Sequence, residues 1–277
     1  MALSRRDFLK LTLKGVIVIG AGSTLQAFAP ASFAMPPVND VLLRFAIASD
    51  GHYGQPETDY EFRHDKMIEW LNKEKEGRGV EFTMVNGDLF HNDPSFLPIV
   101  KKKWDGLKMP YYVSHGNHDM IDGAAWEKTW GMLLNYTIDK GGTAFIILDT
   151  ANEKGDYICA DVNWAKQQFD KYKSKKHVMV FMHIAPFKAI GGGIDCPEII
   201  ALFNQQPNLK AIFHGHDHNL DNVKENEGKC YFWDSHIAGN WGTEYRGYRI
   251  VEVLKSGDIL TYQMDAATNT KVNSKTV

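Results

Sequence analysis

The stretch LLRFAIASDGH, residues 42 to 52, is an apolar, strand-like run from Leu42 to Ser49 that stops abruptly at Asp50-Gly51-His52. Behind it, the polar segment Tyr60 to Glu76 carries Phe62, Met67, Ile68 and Leu71 at helical spacing, so the first unit reads as a strand and then a helix. The unit recurs. Glu81 to Asn86 is a strand ending at Gly87-Asp88, Phe96 to Leu107 a helix, and Tyr111 to Ser114 a strand ending at His115-Gly116-Asn117. From Gly142 the texture changes. Ala144 to Leu148 is a strand and Val162 to Tyr172 an amphipathic helix, and Val178 to Met182 is a strand that delivers His183. Gly191-Gly192-Gly193 marks a flexible loop close behind that histidine. Pro197 to Asn204 reads as a helix, and Lys210 to Phe213 as a strand delivering Gly215-His216-Asp217-His218. Three more strand-like stretches follow (Cys230 to Asp234, Tyr248 to Leu254, Ile259 to Met264), and the polar tail after Asp265 is expected to be loose. Strands alternating with helices, then a run of strands, give an α/β fold with mixed sheets covered by helices.

The chain has 277 residues and 44% hydrophobic side chains, ample for a buried core. Ser4-Arg5-Arg6-Asp7-Phe8-Leu9-Lys10, an apolar stretch to Phe33 and then Ala34 read as an export signal of twin-arginine type over residues 1–34. Residues 35–277 contain no repeat and no Pro-, Gly- or Ser-rich linker, so they are read as one domain. The expected partner at this stage is the twin-arginine export machinery, with a periplasmic or extracellular destination and no membrane span after cleavage. Taking Arg5, Arg6, Lys10, Lys14 and Asp7 from the 31 basic and 34 acidic side chains leaves 27 against 33, a mildly acidic body. A broad nucleic-acid footprint is therefore not expected. Cys159, Cys196 and Cys230 allow one disulfide with one thiol left over, and their spacing does not choose the pair.

Five strings stand at the ends of strands: Asp50-Gly51-His52, Gly87-Asp88, Gly116-Asn117-His118-Asp119, His183, and Gly215-His216-Asp217-His218. Hydrolysis of a phosphate ester needs a nucleophile at neutral pH, charge neutralisation on the phosphoryl oxygens and help for the leaving oxygen, which two metal ions about 3.5 to 4 Å apart supply. Such a pair takes a bridging carboxylate and mixed nitrogen and oxygen donors. Asp50, His52, Asp88, Asn117, His183, His216 and His218 provide that inventory. Residues two apart in an extended segment point the same way, so Asp50 with His52, and His216 with His218, can converge. The glycines leave room for tight turns and close backbone approach.

In this order the strings resemble the calcineurin-like metallophosphoesterase superfamily, whose pattern is Asp-x-His, Gly-Asp, Gly-Asn-His-Asp/Glu, a later His and Gly-His-x-His. All five blocks lie between Asp50 and His218. The resemblance implies a four-layer α/β/β/α sandwich, two mixed sheets flanked by helices, with a dinuclear centre at one end. It implies that Asp50, His52 and His218 bind a first metal, that Asn117, His183 and His216 bind a second, and that Asp88 bridges both. His118 would face the phosphate, stabilising the transition state or protonating the leaving oxygen, with Asp119 holding its ring. The two ions would be divalent or mixed-valence; iron, manganese and zinc all suit these donors.

His91 stands where the purple acid phosphatase branch would have a metal-binding tyrosine, and the string Gly87-Asp88-Leu89-Phe90-His91 looks like that of the family's DNA-repair nucleases. His91 is therefore a substrate-facing or supporting candidate. The nuclease reading is weakened by the export signal and the acidic charge. The leading expectation is an exported hydrolase of small phosphate esters, diesters somewhat ahead of monoesters, acting through a hydroxide that bridges the metals. The opposing one is a noncatalytic metal-binding scaffold of the same fold. His64, on a helix with charged neighbours, and His177, opening a strand among lysines, carry little weight; His115 and His214 are read as walls, and His236 as an outside candidate. Trp241 either lines a substrate wall or packs under the sheet.

Overall fold

The computed structural model describes residues 40–188 and 192–277. The export signal expected at residues 1–34 and Gly191 of the glycine loop lie outside the described residues. Three strands, β1 (Val41–Ala48), β2 (Phe82–Asn86) and β3 (Tyr111–Ser114), run parallel. On the free side of β1, three antiparallel strands extend the sheet: β10 (Gly247–Leu254), β11 (Ile259–Asp265) and β12 (Thr270–Thr276). The strand order is β12-β11-β10-β1-β2-β3. A second sheet has β4 (Tyr136–Lys140), β5 (Thr143–Leu148), β6 (His177–Met182), β7 (Leu209–His214), β9 (Lys229–Trp233) and β8 (Val223–Asn226) in that spatial order. Its four central strands are parallel and its two edges antiparallel.

Side-chain alternation sorts each strand between two cores. Leu43, Phe45 and Ile47 of β1, with Phe82 of the neighbouring β2, face the other sheet, where they meet Phe145, Phe181 and Phe213. Phe45 stacks on Phe82 with centroids 4.9 Å apart and meets Phe145 edge-on at 5.3 Å. Ala46 and Ala48 face outward, under α1 (Tyr60–Arg78), α2 (Leu97–Trp104) and α3 (Gly123–Trp130). The outer face of the second sheet is covered by α4 (Val162–Lys171) and α5 (Pro197–Asn204). The four layers expected from the family resemblance are thus present, helices outside two mixed sheets.

The structure differs from the sequence reading in three local respects. The tail is not loose, because Thr270–Thr276 pairs with β11 as a sheet edge; its exposed, lysine-bearing surface hides it in a hydrophobicity pattern. Two short polar edge strands, β4 and β8, lie in segments that carried no strand signal. On α1, Phe62 points outward at 55% exposure, and the buried stripe is His64, Met67 and Leu71. Of the cysteines, Cys159 and Cys196 form a disulfide, tying the segment after β5 to the start of α5, and Cys230 is a buried thiol.

Candidate metal centre

Every expected ligand follows the C-terminal end of a parallel strand: Asp50 and His52 after β1, Asp88 after β2, Asn117 after β3, His183 after β6, and His216 and His218 after β7. Open α/β sheets carry ligands at this end. The chain turns sharply there, and Asp50, His52, Asp88 and His216 take left-handed φ values of 57°, 41°, 52° and 67°. Such backbone costs of order 1–3 kcal/mol per residue and clusters at functional sites. Cross-sheet bonds lock the loops together. His216 N donates to Asp50 Oδ1 at 3.0 Å, and Asn86 Nδ2 to the Phe213 carbonyl at 3.2 Å. Approach is so close at two motif glycines that a Cβ on Gly116 would lie 2.3 Å from the Asp88 carboxylate, and one on Gly215 2.0 Å from Ser49 Oγ.

Asp50 with His52 and His218, and Asp88 with His183 and His216, form two groups of convergent donors, and His52 also converges with His91 and His118 in a third. In the first, His218 Nε2 lies 3.1 Å from Asp50 Oδ1 and 3.0 Å from His52 Nε2. Asp88 Oδ2 lies 3.1 Å from His183 Nε2 and 3.5 Å from His52 Nε2, between the two groups. The other Asp88 oxygen accepts the His118 backbone N–H at 2.8 Å. His183 donates Nδ1–H to the Asn86 carbonyl at 2.7 Å, which aims Nε2 at the carboxylates. Neither His183 Nε2 nor Asn117 Oδ1, both buried, has a hydrogen-bond partner of acceptable geometry.

The electrostatics suit cations. Burial opposes charge on Asp50, but His218 and His183 outweigh it and hold the carboxyl well below its usual range. Asp88 is likewise depressed against its burial, by His183 first and then His52. Burial lowers His183 too, yet Asp88 and Asp50 lift it to about 10. Burial drives His52 well down and His216 to about 4, so both rings are neutral donors. A field that favours a proton on His183 would equally favour a metal ion in its place. Carboxylates, lone-pair imidazoles and an orphaned amide oxygen are the donor set of a mixed nitrogen and oxygen metal site.

His118 is partly exposed beside this centre, and its ring is held by a different residue from the one expected. Asp119 is fully buried and spends its carboxylate on backbone N–H groups: Leu89 and Phe90 at 2.8 and 3.1 Å, and Gly116 at 3.0 Å. The ring of His118 meets Asn92 Oδ1 through Nδ1 at 2.7 Å. Burial, and then the Asp88 charge, push Asp119 up to about 7, as befits a loop anchor facing a second carboxylate. His91 stacks on His118 with centroids 4.6 Å apart and places Nδ1 3.1 Å from His52 Nδ1.

Several supporting residues escaped the sequence reading. Ser49 Oγ contacts Asp50 Oδ2 at 2.5 Å, and Asn86 gathers Ser49, Ser114 and His183 through its carbonyl and amide oxygens. Asn92 and Asn86 carry no spacing signal; only their position after a motif strand or at its end points to them. His236 does approach the site, stacked 4.5 Å from His218, and Trp241 lies parallel to His218 at 4.1 Å. His64 and His177 are both buried, His115 binds Asp149 at 2.9 Å, and His214 donates to the Met182 carbonyl.

The profile of one family, described as calcineurin-like phosphoesterase, matches residues 43–220. A protein of Shewanella pealeana named UDP-2,3-diacylglucosamine hydrolase is 24% identical over 188 residues, covering 57% of this chain and 75% of its own. A dimetal phosphatase from Danio rerio superposes with a TM-score of 0.70 at 12% identity, over 86% of this chain and 99% of that one. The anchor protein of the Plasmodium inner membrane complex gives 0.64 at 15% identity, over 85% and 88%. At such identities the structural likenesses establish the fold alone.

Proposed function

This chain belongs to the calcineurin-like phosphoesterase family, and from that premise we propose that it hydrolyses small phosphate esters at a two-metal centre, diesters ahead of monoesters. One observation carries the reading: Asp88 Oδ2 stands between His183 Nε2 and His52 Nε2, where one carboxylate can serve two ions. Asp50, His52 and His218 would hold one ion, Asn117, His183 and His216 the other, and Asp88 both. When bound, such a pair activates a water and clamps the phosphoryl oxygens. The family comprises hydrolases of phosphate esters, and the similarity to a UDP-2,3-diacylglucosamine hydrolase supports the diester preference.

The chain's own residues complete the chemistry. Asn92 Oδ1 can only accept, so it fixes the His118 tautomer with the proton on Nδ1 and leaves Nε2 for the substrate. Nε2 carries a proton for the leaving oxygen only in the imidazolium form, and in that form, with Nδ1–H still held by Asn92, His118 would act as the acid. His91 packs flat on His118 and touches His52, so it steadies both a metal donor and the acid. Ser49 and the His216 amide orient the Asp50 carboxylate, and Asn86 aims His183.

Export as a single folded domain of residues 35–277 belongs to the same proposal. The Arg5-Arg6 string supports it, as does the Cys159–Cys196 disulfide, a bond that persists in oxidising compartments. No helix among the described residues is long and apolar enough to cross a membrane. The test is turnover of bis(p-nitrophenyl) phosphate and p-nitrophenyl phosphate after loading with iron, manganese or zinc. His118→Asn should keep both metals and lose about 10²- to 10⁴-fold in kcat. A fully metallated protein that turns over neither ester is a scaffold, and the enzymatic reading fails.

A further inference from the structure

The loop after β9 holds an aromatic ring beside the metal centre at evident structural cost. Trp241 is 38% exposed, whereas Trp104, Trp126, Trp130 and Trp233 are buried and Trp70 and Trp164 are partly buried against the core. Its indole lies 4.1 Å from the His218 ring with 4° between the planes, and 5.2 Å from His52. Only one face is occupied in this way; among the described residues no ring stacks on the other. The loop that carries it is fixed along its length. Ile237 N and Ala238 N donate to the Ser49 and Asp50 carbonyls at 2.9 and 3.1 Å, and Thr243 N donates to His218 O at 2.9 Å. Arg246 binds the carbonyls of Thr243 and Gly239 at 2.8 and 3.3 Å. Gly239 and Gly242 adopt φ of 101° and 115°, and a Cβ on either would fall within 2.7 Å of His218. The backbone is thus pressed flat against one expected ligand so that the indole stands at the mouth.

We propose that the free face of Trp241 is a stacking platform for a planar ring of the substrate, so that the preferred esters carry an aromatic or heteroaromatic group such as a nucleobase. The proposal rests on the phosphoesterase reading and adds a substrate class to it. A flat, pre-organised indole meets a planar ring over its whole face at little entropic cost, and every base has such a face. Both imidazoles that the indole touches are expected metal donors, so a ring on the platform is joined to the phosphate by a short linker, as in a nucleotide. On the opposite side of the centre Tyr157, 40% exposed, meets His216 edge-on at 4.9 Å. The mouth is therefore aromatic on both flanks.

The test compares nonhydrolysable phosphonate analogues of adenosine 5′-phosphate and ribose 5-phosphate, which differ by the base alone. Calorimetry on the metal-loaded full chain is the readout, with elemental analysis of every variant. The wild type should bind the adenosine analogue about 5- to 100-fold more tightly, with quenching of tryptophan fluorescence. Trp241→Leu should abolish that ratio at unchanged metal content, and Trp241→Phe should keep part of it. Equal affinity for the two analogues in the wild type overturns the proposal, and so does a ratio that survives in Trp241→Leu. Metal loss in Trp241→Leu with both ligands weakened alike also overturns it, since the indole would then only shield His218. Turnover of the chromogenic esters judges the phosphoesterase reading separately. An inert protein with intact base selectivity refutes that reading and leaves the platform standing.

Discussion

Replacing Gly215 by alanine adds one methyl group at the tightest seam between the two sheets. Gly215 does not need left-handed backbone, so the cost is steric. The new Cβ would lie 2.0 Å from Ser49 Oγ, 2.5 Å from Asp50 Oδ2 and 3.0 Å from the Asn86 carbonyl. Ordinary contact starts near 3.4 Å, so Ser49 and the Asp50 carboxylate must each retreat by roughly 1 Å. Ser49 is held by Asn86 O at 2.9 Å and Asp50 by the His216 amide, so neither can yield without loosening the first donor group. Overpacking of this kind costs about 1–3 kcal/mol of stability, and a 1 Å misplacement at a catalytic centre about 10²-fold in rate. Gly215→Ala should therefore fold, lose about 1–3 kcal/mol in urea titration, and fall about 100-fold in kcat/KM for bis(p-nitrophenyl) phosphate. Ser49→Gly in the same chain removes the nearest colliding atom and should restore part of both losses, a coupling of about 0.5–3 kcal/mol. Turnover within twofold of wild type in Gly215→Ala would refute the packing argument.

Asn92 and Asp119 should separate cleanly. Asn92→Ala should lower kcat about tenfold or more at an unchanged urea midpoint, the loss of one orienting hydrogen bond. Asp119→Ala should instead lose about 3 kcal/mol or more of stability, because three backbone N–H groups lose their acceptor; loss of kcat at full stability would return the ring-holding role to Asp119. His64 sets an acid sensitivity. Burial lowers its pKa to about 4, its Nδ1–H being held by the Tyr60 carbonyl. Between pH 6.5 and 4 the unfolded chain therefore takes up a proton that the folded ring refuses. Stability present above pH 6.5 is lost as pH falls toward 4, by about 3 kcal/mol in total. His64→Leu should flatten the stability-versus-pH curve across that window, and an unaltered slope would contradict the assignment.

The parts legible in the sequence are those where one residue type serves one need. Strand-like runs ending in Asp, His or Gly-Asp marked five strands and six donors that converge, Asp50, His52, Asp88, His183, His216 and His218, because a buried parallel strand must be apolar and its exit must turn. What escaped depended on partners distant in sequence. Asn92 acts on His118, 26 positions away, and nothing local distinguishes it from a loop asparagine. His64 was hidden by Arg63 and Asp65, although Tyr60, His64, Met67 and Leu71 fall on one helical stripe. The tail strand pairs through its backbone, so its exposed lysines and threonines gave no hydrophobic alternation. Asp119 was assigned to the ring beside it in sequence, when its carboxylate satisfies three backbone amides of two loops.

The central claim is a shared carboxylate between two ions, and anomalous diffraction from crystals of the metal-loaded protein tests it most directly. Two peaks about 3.5–4 Å apart are expected, both within bonding distance of Asp88, one among Asp50, His52 and His218 and the other among Asn117, His183 and His216. A single peak, or one seated instead among His52, His91 and His118, where three ring nitrogens also converge, would contradict the account.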